Sequence, residues 1–255
     1  MNLSHKQFKL LSDIVYETCG INLHDGKETL LSTRLNKRMR AISIKSVEDY
    51  IDLIKKDADE FMSFIDAVST NHTYFYRENQ HCEYLLKVID NSKSLNIWSA
   101  ASSSGEEAFS ISFQLLENGY SFRIYASDIS DSMLSMAVRG IYHMEKLKNV
   151  PVQTIRKFCK KGAGKWENHI KIKKTVQSHV TFEKFNLIKD SPPGIFNIIF
   201  CRNVMIYFDH KTREHVVNKL FNSLENGGHL IVGASESLMG IEHRFKTIKP
   251  SIYQK

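Results

Sequence analysis

The sequence predicts an α/β protein in which a small all-α unit precedes a parallel, doubly wound sheet. Up to residue 70, apolar residues recur at helical spacing between helix-capping signals. After residue 94, short apolar runs alternate with amphipathic stretches, which is typical of strands and helices in a parallel sheet. The 255 residues include 42% hydrophobic side chains and four prolines. This composition indicates a folded core and excludes disordered, collagenous and disulfide-stapled classes.

The first seventy residues predict four helices. Their expected ranges are 4–20, 28–41, 47–56 and 58–68, with Ser46 as a cap of the third. The second helix ends in RLNKRMR, where Arg34, Arg38 and Arg40 form one positive face. This face is either a partner-binding surface or ordinary solvated surface.

The remainder predicts four core strands, with helices between them. The strands are expected at 95–100, 122–127, 195–201 and 229–234, and the helices at 106–117, 130–139 and 211–224. Residues 141–190 interrupt this alternation with a short helix at 151–159 and two runs, HIKIKK and HVTFEKF, that alternate apolar and polar side chains. The two runs predict a small antiparallel hairpin, inserted in the main sheet or appended to it.

The positive charge of the chain is concentrated in one segment. The formal net charge is +7, and residues 141–190 alone carry 12 basic and 4 acidic side chains, whereas residues 71–140 carry 5 and 8. A local excess favours docking of an acidic protein segment over binding of a nucleic acid, which needs basic charge along a whole phosphate backbone.

The cysteines and the N-terminus indicate a cytoplasmic protein. The four cysteines are isolated in sequence and form no metal-ligand pattern with the histidines, so we expect reduced thiols and no metal site. The chain begins without a secretory signal pattern and contains no apolar run long enough to span a bilayer.

A nucleoside cofactor site is predicted where the first two strands end. The loop after the first strand contains Gly105 and enters a helix, and Asp128 follows 23 residues later at the end of the second strand. A carboxylate there is suited to accept hydrogen bonds from ribose hydroxyls. The dinucleotide motif G-x-G-x-x-G is absent. Glu106 and Glu107 would repel a phosphate and favour a cationic cofactor, unless they only complement the helix dipole.

Seven segments resemble the motifs of the chemotaxis receptor methyltransferases, the CheR family, in that family's order and across most of the chain. They are NHTYFYRE (71–78), WSAASSSGEEAFSIS (98–112), YASDIS (125–130), AVRGIY (137–142), FNL (185–187), FNIIFCRNVMIYFD (196–209) and GGHLIVGASESL (227–238). FCRNVMIYFD is the most specific of them. Two departures are the loop Ala101 to Gly105, where many members have Gly-Cys-Ser-Thr-Gly, and His72, where Glu is usual.

The resemblance implies a fold and a cofactor. The fold is an N-terminal helical domain (1–75) followed by a Rossmann-like methyltransferase domain that binds S-adenosylmethionine (76–255), with a β-subdomain at about 141–190. The product of the cofactor would be S-adenosylhomocysteine.

The resemblance also implies site residues. Those expected to bind the cofactor are Asn71, Thr73, Arg77, Glu107, Asp128, Asn186, Leu187, Arg202 and Asn203. Arg77 and Tyr207 are expected to position the carboxylate that accepts the methyl group. An ion pair between Arg77 and Glu78 is the structural alternative for Arg77.

The implied reaction is methyl ester formation on glutamates of the cytoplasmic helices of chemoreceptors, for sensory adaptation in chemotaxis. A glutamate carboxylate is already ionised at pH 7, so no general base is required. Implied partners are the receptor helical bundle and a receptor C-terminal tail peptide on the β-subdomain. Two alternatives stay open at this point: a cofactor-binding adaptor with little activity, suggested by the altered Ala101–Gly105 loop, and a nucleic-acid methyltransferase, suggested only by the basic pI.

Overall fold

The computed structural model describes residues 3–23, 26–90 and 92–255. The α-helices are α1 (His5–Cys19), α2 (Glu28–Ala41), α3 (Val47–Lys56), α4 (Ala58–Val68), α5 (Gln80–Val88), α6 (Glu106–Glu117), α7 (Asp131–Arg139), α8 (Val152–Phe158), α9 (Lys174–Gln177) and α10 (His210–Asn222). The strands are β1 (Leu95–Ala100), β2 (Phe122–Asp128), β3 (Ile141–His143), β4 (Cys159–Lys161), β5 (His169–Ile172), β6 (Val180–Lys184), β7 (Phe196–Cys201), β8 (Leu224–Ile231), β9 (Lys246–Lys249) and β10 (Ile252–Gln254).

Helices α1 to α4 form the predicted all-α unit around a core of their own. Leu11, Leu35 and Phe64 are fully buried in this core. The Ser46 side chain accepts a hydrogen bond from the backbone N–H of Asp49 and caps α3. The Asp57 carboxylate caps α4 in the same way. These caps satisfy N–H groups that the first turn of a helix leaves free, so the predicted helix bounds are confirmed.

The second unit is a seven-stranded sheet in the order β6-β2-β1-β7-β8-β10-β9. Strands β6, β2, β1, β7 and β8 are parallel, and β10 pairs antiparallel with both β8 and β9. Trp98 is fully buried on β1, and its indole N–H donates to Ser127 Oγ on β2 across 2.8 Å. The predicted Rossmann-like architecture is confirmed, with an antiparallel edge at one end.

A small antiparallel sheet is present, but its composition corrects the sequence prediction. Its order is β3-β5-β4, so the HIKIKK run supplies its central strand. The HVTFEKF run is not the partner in a hairpin, because β6 pairs parallel with β2 at the edge of the main sheet. An edge strand covered mainly on one face shows the same alternation as a hairpin strand, and alternation therefore does not identify the partner.

The two units meet at the end of α1. The backbone N–H of Asn22 donates to the carbonyl of Tyr207 across 2.8 Å, and Ile21 forms a β-bridge with Phe208. The phenol of Tyr16 donates to the Asp209 carboxylate at 2.8 Å. The segment after β7 is thus fastened to the helical unit by main chain as well as side chains.

Among the helices within the described residues, none is long and apolar enough to cross a membrane.

Candidate functional site

A cleft of about 1140 Å³, including its open mouth, lies at the carboxyl ends of β1, β2 and β7. The chain runs from β1 to β2 and β6 on one side and later from β7 to β8 on the other, so the cleft lies at the point where the strand order reverses. All ten residues predicted for the cofactor and the reaction line it: Asn71, Thr73, Arg77, Glu107, Asp128, Asn186, Leu187, Arg202, Asn203 and Tyr207.

Asp128 closes one end of the cleft and is held by backbone donors. Its carboxylate accepts the N–H of Ser103 at 2.7 Å and the N–H of Ser130 at 3.0 Å. Burial raises the pKa of Asp128, and these two N–H groups oppose the effect. Each carboxylate oxygen keeps a lone pair, so two hydroxyls of a ribose can still be bound.

The two glutamates at the start of α6 have different environments. Glu107 lines the cleft, accepts the hydroxyl of Ser99 at 2.7 Å and pairs with Arg202 at 3.0 Å. Glu106 is fully buried away from the cleft and pairs with Lys146 of the segment after β3. Of the two carboxylates expected to favour a cationic cofactor, only Glu107 therefore faces the cleft.

Gly105 explains how α6 can begin so close to the cleft. Its φ is +91°, and a Cβ there would lie 2.8 Å from the Cβ of Ala137. Only glycine combines this left-handed backbone with such close packing. This turn starts α6 beside the cleft, so Glu107 in the first turn of the helix lines the cleft.

Arg202 is the centre of a charge cluster at the other end of the cleft. Its side chain is 5% exposed and lies 3.0 Å from both Glu107 and Glu78. A third bond of the same guanidinium goes to the carbonyl of Arg77 at 2.7 Å. The cluster joins the segment before α5 to the loop after β7, and it places one cation between two carboxylates.

Glu78 was missed as a site residue in the sequence, where it entered only as an ion-pair partner of Arg77. Its carboxylate accepts the side-chain amide of Asn203 at 3.2 Å and the N–H of Ala234 at 2.8 Å. Burial alone would raise the pKa of Glu78, but these donors and Arg202 outweigh it and lower the pKa. The signal available in the sequence was only its position directly after Arg77.

Arg77 and Tyr207, the residues expected to position the methyl acceptor, both line the cleft. The Arg77 guanidinium donates to the carbonyl of His72 at 2.8 Å and lies 5.9 Å from the ring centroid of Tyr74. Its distance to Glu78 is 3.9 Å, longer than a hydrogen bond. Arg77 is therefore not hydrogen-bonded to Glu78, the partner in the structural alternative. Tyr207 is half-buried, with its backbone fixed by Asn22.

The remaining predicted cofactor residues border the cleft in different ways. Asn71 contributes its carbonyl, which accepts the hydroxyl of Ser103 at 3.3 Å, and Thr73 is half-buried beside it. The Asn186 amide donates to the carbonyl of Thr18 at 2.6 Å and accepts the N–H of Ile188 at 2.9 Å. Asn186 is thus occupied with fastening its loop to α1, while Leu187 adds an apolar wall.

The basic face of α2 divides into two kinds of side chain. Arg34 donates to the carbonyls of Val68 and Ser69 and to Thr70, and Arg38 pairs with Glu60. Arg40 is exposed. Two of the three predicted partner-binding residues therefore also stabilise the helical unit, and Arg40 presents its charge to solvent.

The lining of the cleft fits S-adenosylmethionine, the cofactor expected from the resemblance. Asp128 supplies acceptors for ribose hydroxyls, and Glu107 supplies an anion for an ammonium group. Ile129, Phe185 and Leu187 supply an apolar section of wall suited to a base. Within the described residues, two buried polar atoms of lining residues have no hydrogen-bond partner, Ser102 Oγ and Arg202 Nε. Such atoms are free to bind a ligand.

A further residue absent from the sequence prediction lies just behind the cleft. The Glu236 carboxylate accepts the N–H groups of Asn203 at 2.7 Å, Gly233 at 2.6 Å and Ile206 at 3.2 Å. Its pKa is raised by burial, against these donors. Nothing local in GASESL distinguishes Glu236 from an exposed glutamate.

Comparison with known proteins gives one consistent family. Residues 6–69 match the all-alpha domain of the CheR methyltransferases, and residues 71–254 match their SAM binding domain. A curated chemotaxis protein methyltransferase of Borreliella burgdorferi is 34% identical, with 100% of this chain and 96% of the relative covered. Proteins of the same name from Escherichia coli (33% identical; 98% of this chain, 91% of the relative) and Vibrio anguillarum (35%; 100% and 98%) are also similar.

Proposed function

The chain belongs to the CheR methyltransferase family, and from this premise we propose that it transfers the methyl group of S-adenosylmethionine to glutamate side chains of chemoreceptors. The products are glutamyl methyl esters and S-adenosylhomocysteine. The carrying observation is that five separate segments, around residues 71–77, 107, 128, 186–187 and 202–207, line one cleft. These segments hold the residues on which the family resemblance rests.

The cofactor, when bound, supplies a methyl group on a positively charged sulfur. In this proposal Asp128 binds the ribose and Glu107 the ammonium group, while Arg202 and Asn203 border the same end of the cleft. Leu187 covers the base. Asn186 acts by holding its loop against Thr18.

The chemical step needs no proton transfer. An acceptor carboxylate oxygen bonds to the methyl carbon as the carbon–sulfur bond breaks, and the electron pair of that bond stays on sulfur. Opposite charges disappear in this step, so water, which stabilises the separated ions, slows it. The chain's contribution is alignment and exclusion of water, and alignment alone is worth several kcal/mol.

Arg77 and Tyr207 are proposed to orient the acceptor. A guanidinium binds a carboxylate through two parallel N–H groups, and a phenol adds one directed hydrogen bond. Since the Arg77 fork is only loosely associated with Glu78, at 3.9 Å, it is available to a substrate carboxylate. The half-buried phenol of Tyr207 lies on the same cleft.

The partner surfaces follow from charge. The substrate is proposed to be the acidic helical bundle of a receptor, contacted by the α2 face at Arg34, Arg38 and Arg40, with Arg40 the most exposed. The segment 141–190 carries the basic excess, and its small sheet ends in two short edge strands, β3 and β4. An acidic receptor tail peptide is proposed to bind there. We also propose that the protein acts in the cytoplasm and that its domains divide at residues 75 and 76.

The test is incubation with methyl-labelled S-adenosylmethionine and receptor signalling fragments. The expected product is labelled fragment that releases volatile methanol after alkali, since methyl esters are base-labile. A fragment whose target glutamates are replaced by alanine is the matched control and should release none. Tight binding of S-adenosylhomocysteine by calorimetry without any methanol from the native fragment would contradict the proposed activity.

A further inference from the structure

Glu236 is a buried carboxylate that forms no salt bridge with any of the residues that the structure describes. It is 7% exposed, and its carboxylate accepts hydrogen bonds from three backbone N–H groups, those of Asn203, Ile206 and Gly233. Two of these donors, Asn203 and Ile206, belong to the loop that follows β7. The third, Gly233, follows β8. The carboxylate therefore fills a nest of main-chain donors between the ends of two neighbouring strands.

The loop after β7 that Glu236 holds contains three residues that line the cleft, Arg202, Asn203 and Tyr207. Asn203 has a φ of +59°, a left-handed conformation that needs support in a residue other than glycine. The 3-10 turn Met205–Tyr207 follows at once, and Ile206 in its middle is the second donor to Glu236. Arg202, Asn203 and Tyr207 thus lie on one backbone segment, and the Glu236 carboxylate binds two N–H groups of that segment.

Gly233 shows how closely the carboxylate is packed against this loop. A Cβ at position 233 would lie 2.6 Å from the side-chain amide of Asn203 and 2.7 Å from Glu236 Oε2. The Asn203 amide is held from the other side by Glu78 at 3.2 Å. Asn203 is therefore fixed by two carboxylates, through its main chain by Glu236 and through its side chain by Glu78.

We propose that Glu236 is a positioning residue for the methyl transfer: through the N–H groups of Asn203 and Ile206 it fixes where Arg202 and Tyr207 stand in the cleft. Glu236 lies behind the cleft and is not one of the residues that line it. Its role in orienting the acceptor rests on the proposed function, because it acts there through Tyr207. Its effect on cofactor binding rests only on the position of Arg202 and Asn203.

The test is Glu236→Gln, which keeps the shape of the side chain but turns one acceptor oxygen into an N–H donor that faces the backbone N–H groups. We expect the Kd of S-adenosylhomocysteine, measured by calorimetry, to rise about tenfold, the scale of one lost charge-assisted hydrogen bond. We expect kcat at saturating cofactor to fall by a similar factor. The Kd needs no methyl transfer, so it tests Glu236 even if the protein methylates nothing.

A double-mutant cycle separates positioning from general destabilisation. If Glu236 acts through Tyr207, the kcat losses of Glu236→Gln and Tyr207→Phe are less than multiplicative in the double variant. Tyr253→Phe is the matched structural control: the Tyr253 phenol accepts the N–H of Leu238 at 3.1 Å, so it supports the loop of Glu236 through a hydrogen bond that does not involve residues 202–207. Its effect should multiply with that of Tyr207→Phe. Glu242→Gln, an identical change at an exposed site, controls for charge.

The outcomes are distinct. A Tm decrease in Glu236→Gln with an unchanged Kd and multiplicative kcat effects would overturn the proposal, because the residue would then be structural only. If Glu236→Gln does not fold, Glu236→Asp keeps the charge but draws the carboxylate back from the N–H groups of Asn203 and Ile206. The same rise in Kd is then expected from Glu236→Asp, and an unchanged Kd overturns the proposal.

Discussion

The guanidinium of Arg202 donates to the carboxylate of Glu107 across 3.0 Å, although 95 residues separate them in the chain. The bond joins the loop after β7 to the first turn of α6, the helix that follows the neighbouring strand β1. Because the two side chains are 5% and 14% exposed, the ion pair is shielded from water and each charge depends on the other. The arrangement fixes the edge of the cleft where the strand order reverses.

Replacing Arg202 by methionine should destabilise the protein strongly. Glu107 and Glu78 would lose their shared cation, and breaking a buried ion pair on one side costs about 3 kcal/mol. Urea unfolding measures the loss. Arg77→Met is the matched control, since the Arg77 guanidinium is 26% exposed and 3.9 Å from Glu78, and its removal should cost less than about 1 kcal/mol. Equal losses in the two variants would show that the Arg202 cluster is not a stabilising unit.

Arg77→Lys should separate orientation from charge. Lysine keeps the positive charge but lacks the planar fork that binds a carboxylate in one geometry. We expect kcat for receptor methylation to fall about tenfold, a loss of about 1.4 kcal/mol of transition-state stabilisation. Methanol release with saturating cofactor measures it. The idea of a geometric role fails if the lysine variant methylates at the rate of the native protein.

Arg40→Glu should weaken receptor methylation without affecting the fold. Arg40 is exposed at the end of α2, so its charge is available to an acidic partner. We expect KM for the receptor fragment to rise, with Tm and the Kd of S-adenosylhomocysteine unchanged. Lys9→Glu makes the same charge change on the exposed face of α1. If Lys9→Glu raises KM equally, the effect is one of net charge and the α2 face is not a docking surface.

Glu60 should make the stability of the helical unit depend on acid pH. Its pKa is lowered mainly by the bond from Arg38, with Tyr50 adding a second donor and burial opposing both. A lowered pKa in the folded state means that the stabilisation is fully present above the ordinary value of 4.5 and is lost as pH falls through the folded value.

The measurement for Glu60 is thermal unfolding of Glu60→Gln and native protein between pH 3 and pH 7. The difference in Tm between the two proteins should be largest near pH 7. It should narrow below about pH 4.5, where the unfolded chain takes up its proton first, and vanish once the pH has fallen through the lower folded-state pKa. Glu17→Gln, at an exposed position of α1, should show no comparable gap. A Tm gap for Glu60→Gln that is constant with pH would contradict the ion-pair explanation.

The sequence allowed good prediction of elements that carry their own signals. Ser46 and Asp57 are caps whose chemistry is local, and the helices that they begin run as expected. Strand β1 is a short, mainly apolar run at the bounds that were predicted. Strand β6 was paired wrongly, since its alternation reports one covered face and not which strand covers it. Strand pairing is a non-local property that periodicity does not contain.

In the candidate site, too, residues with a signal in the sequence were predicted and residues without one were not. The residues that line the cleft lie in segments long enough to be compared with a family. Glu78 and Glu236 were not selected because their importance comes from donors far away in the chain, Ala234 for the first and Asn203 for the second. A carboxylate that accepts distant backbone N–H groups has no pattern of its own in the sequence. The Asn186 amide likewise fastens a loop to α1, a contact over 168 residues.

The hydrogen bond from Asn22 to the carbonyl of Tyr207 limits how this enzyme can move. Many two-domain proteins close on a ligand by rotating about the segment that joins their domains. Here such a rotation about residues 69–73 would stretch the Asn22–Tyr207 bond and open the bridge between Ile21 and Phe208. The two contacts therefore oppose closure by rotation of the helical domain. They also join that domain to the backbone of Tyr207, a residue that lines the cleft.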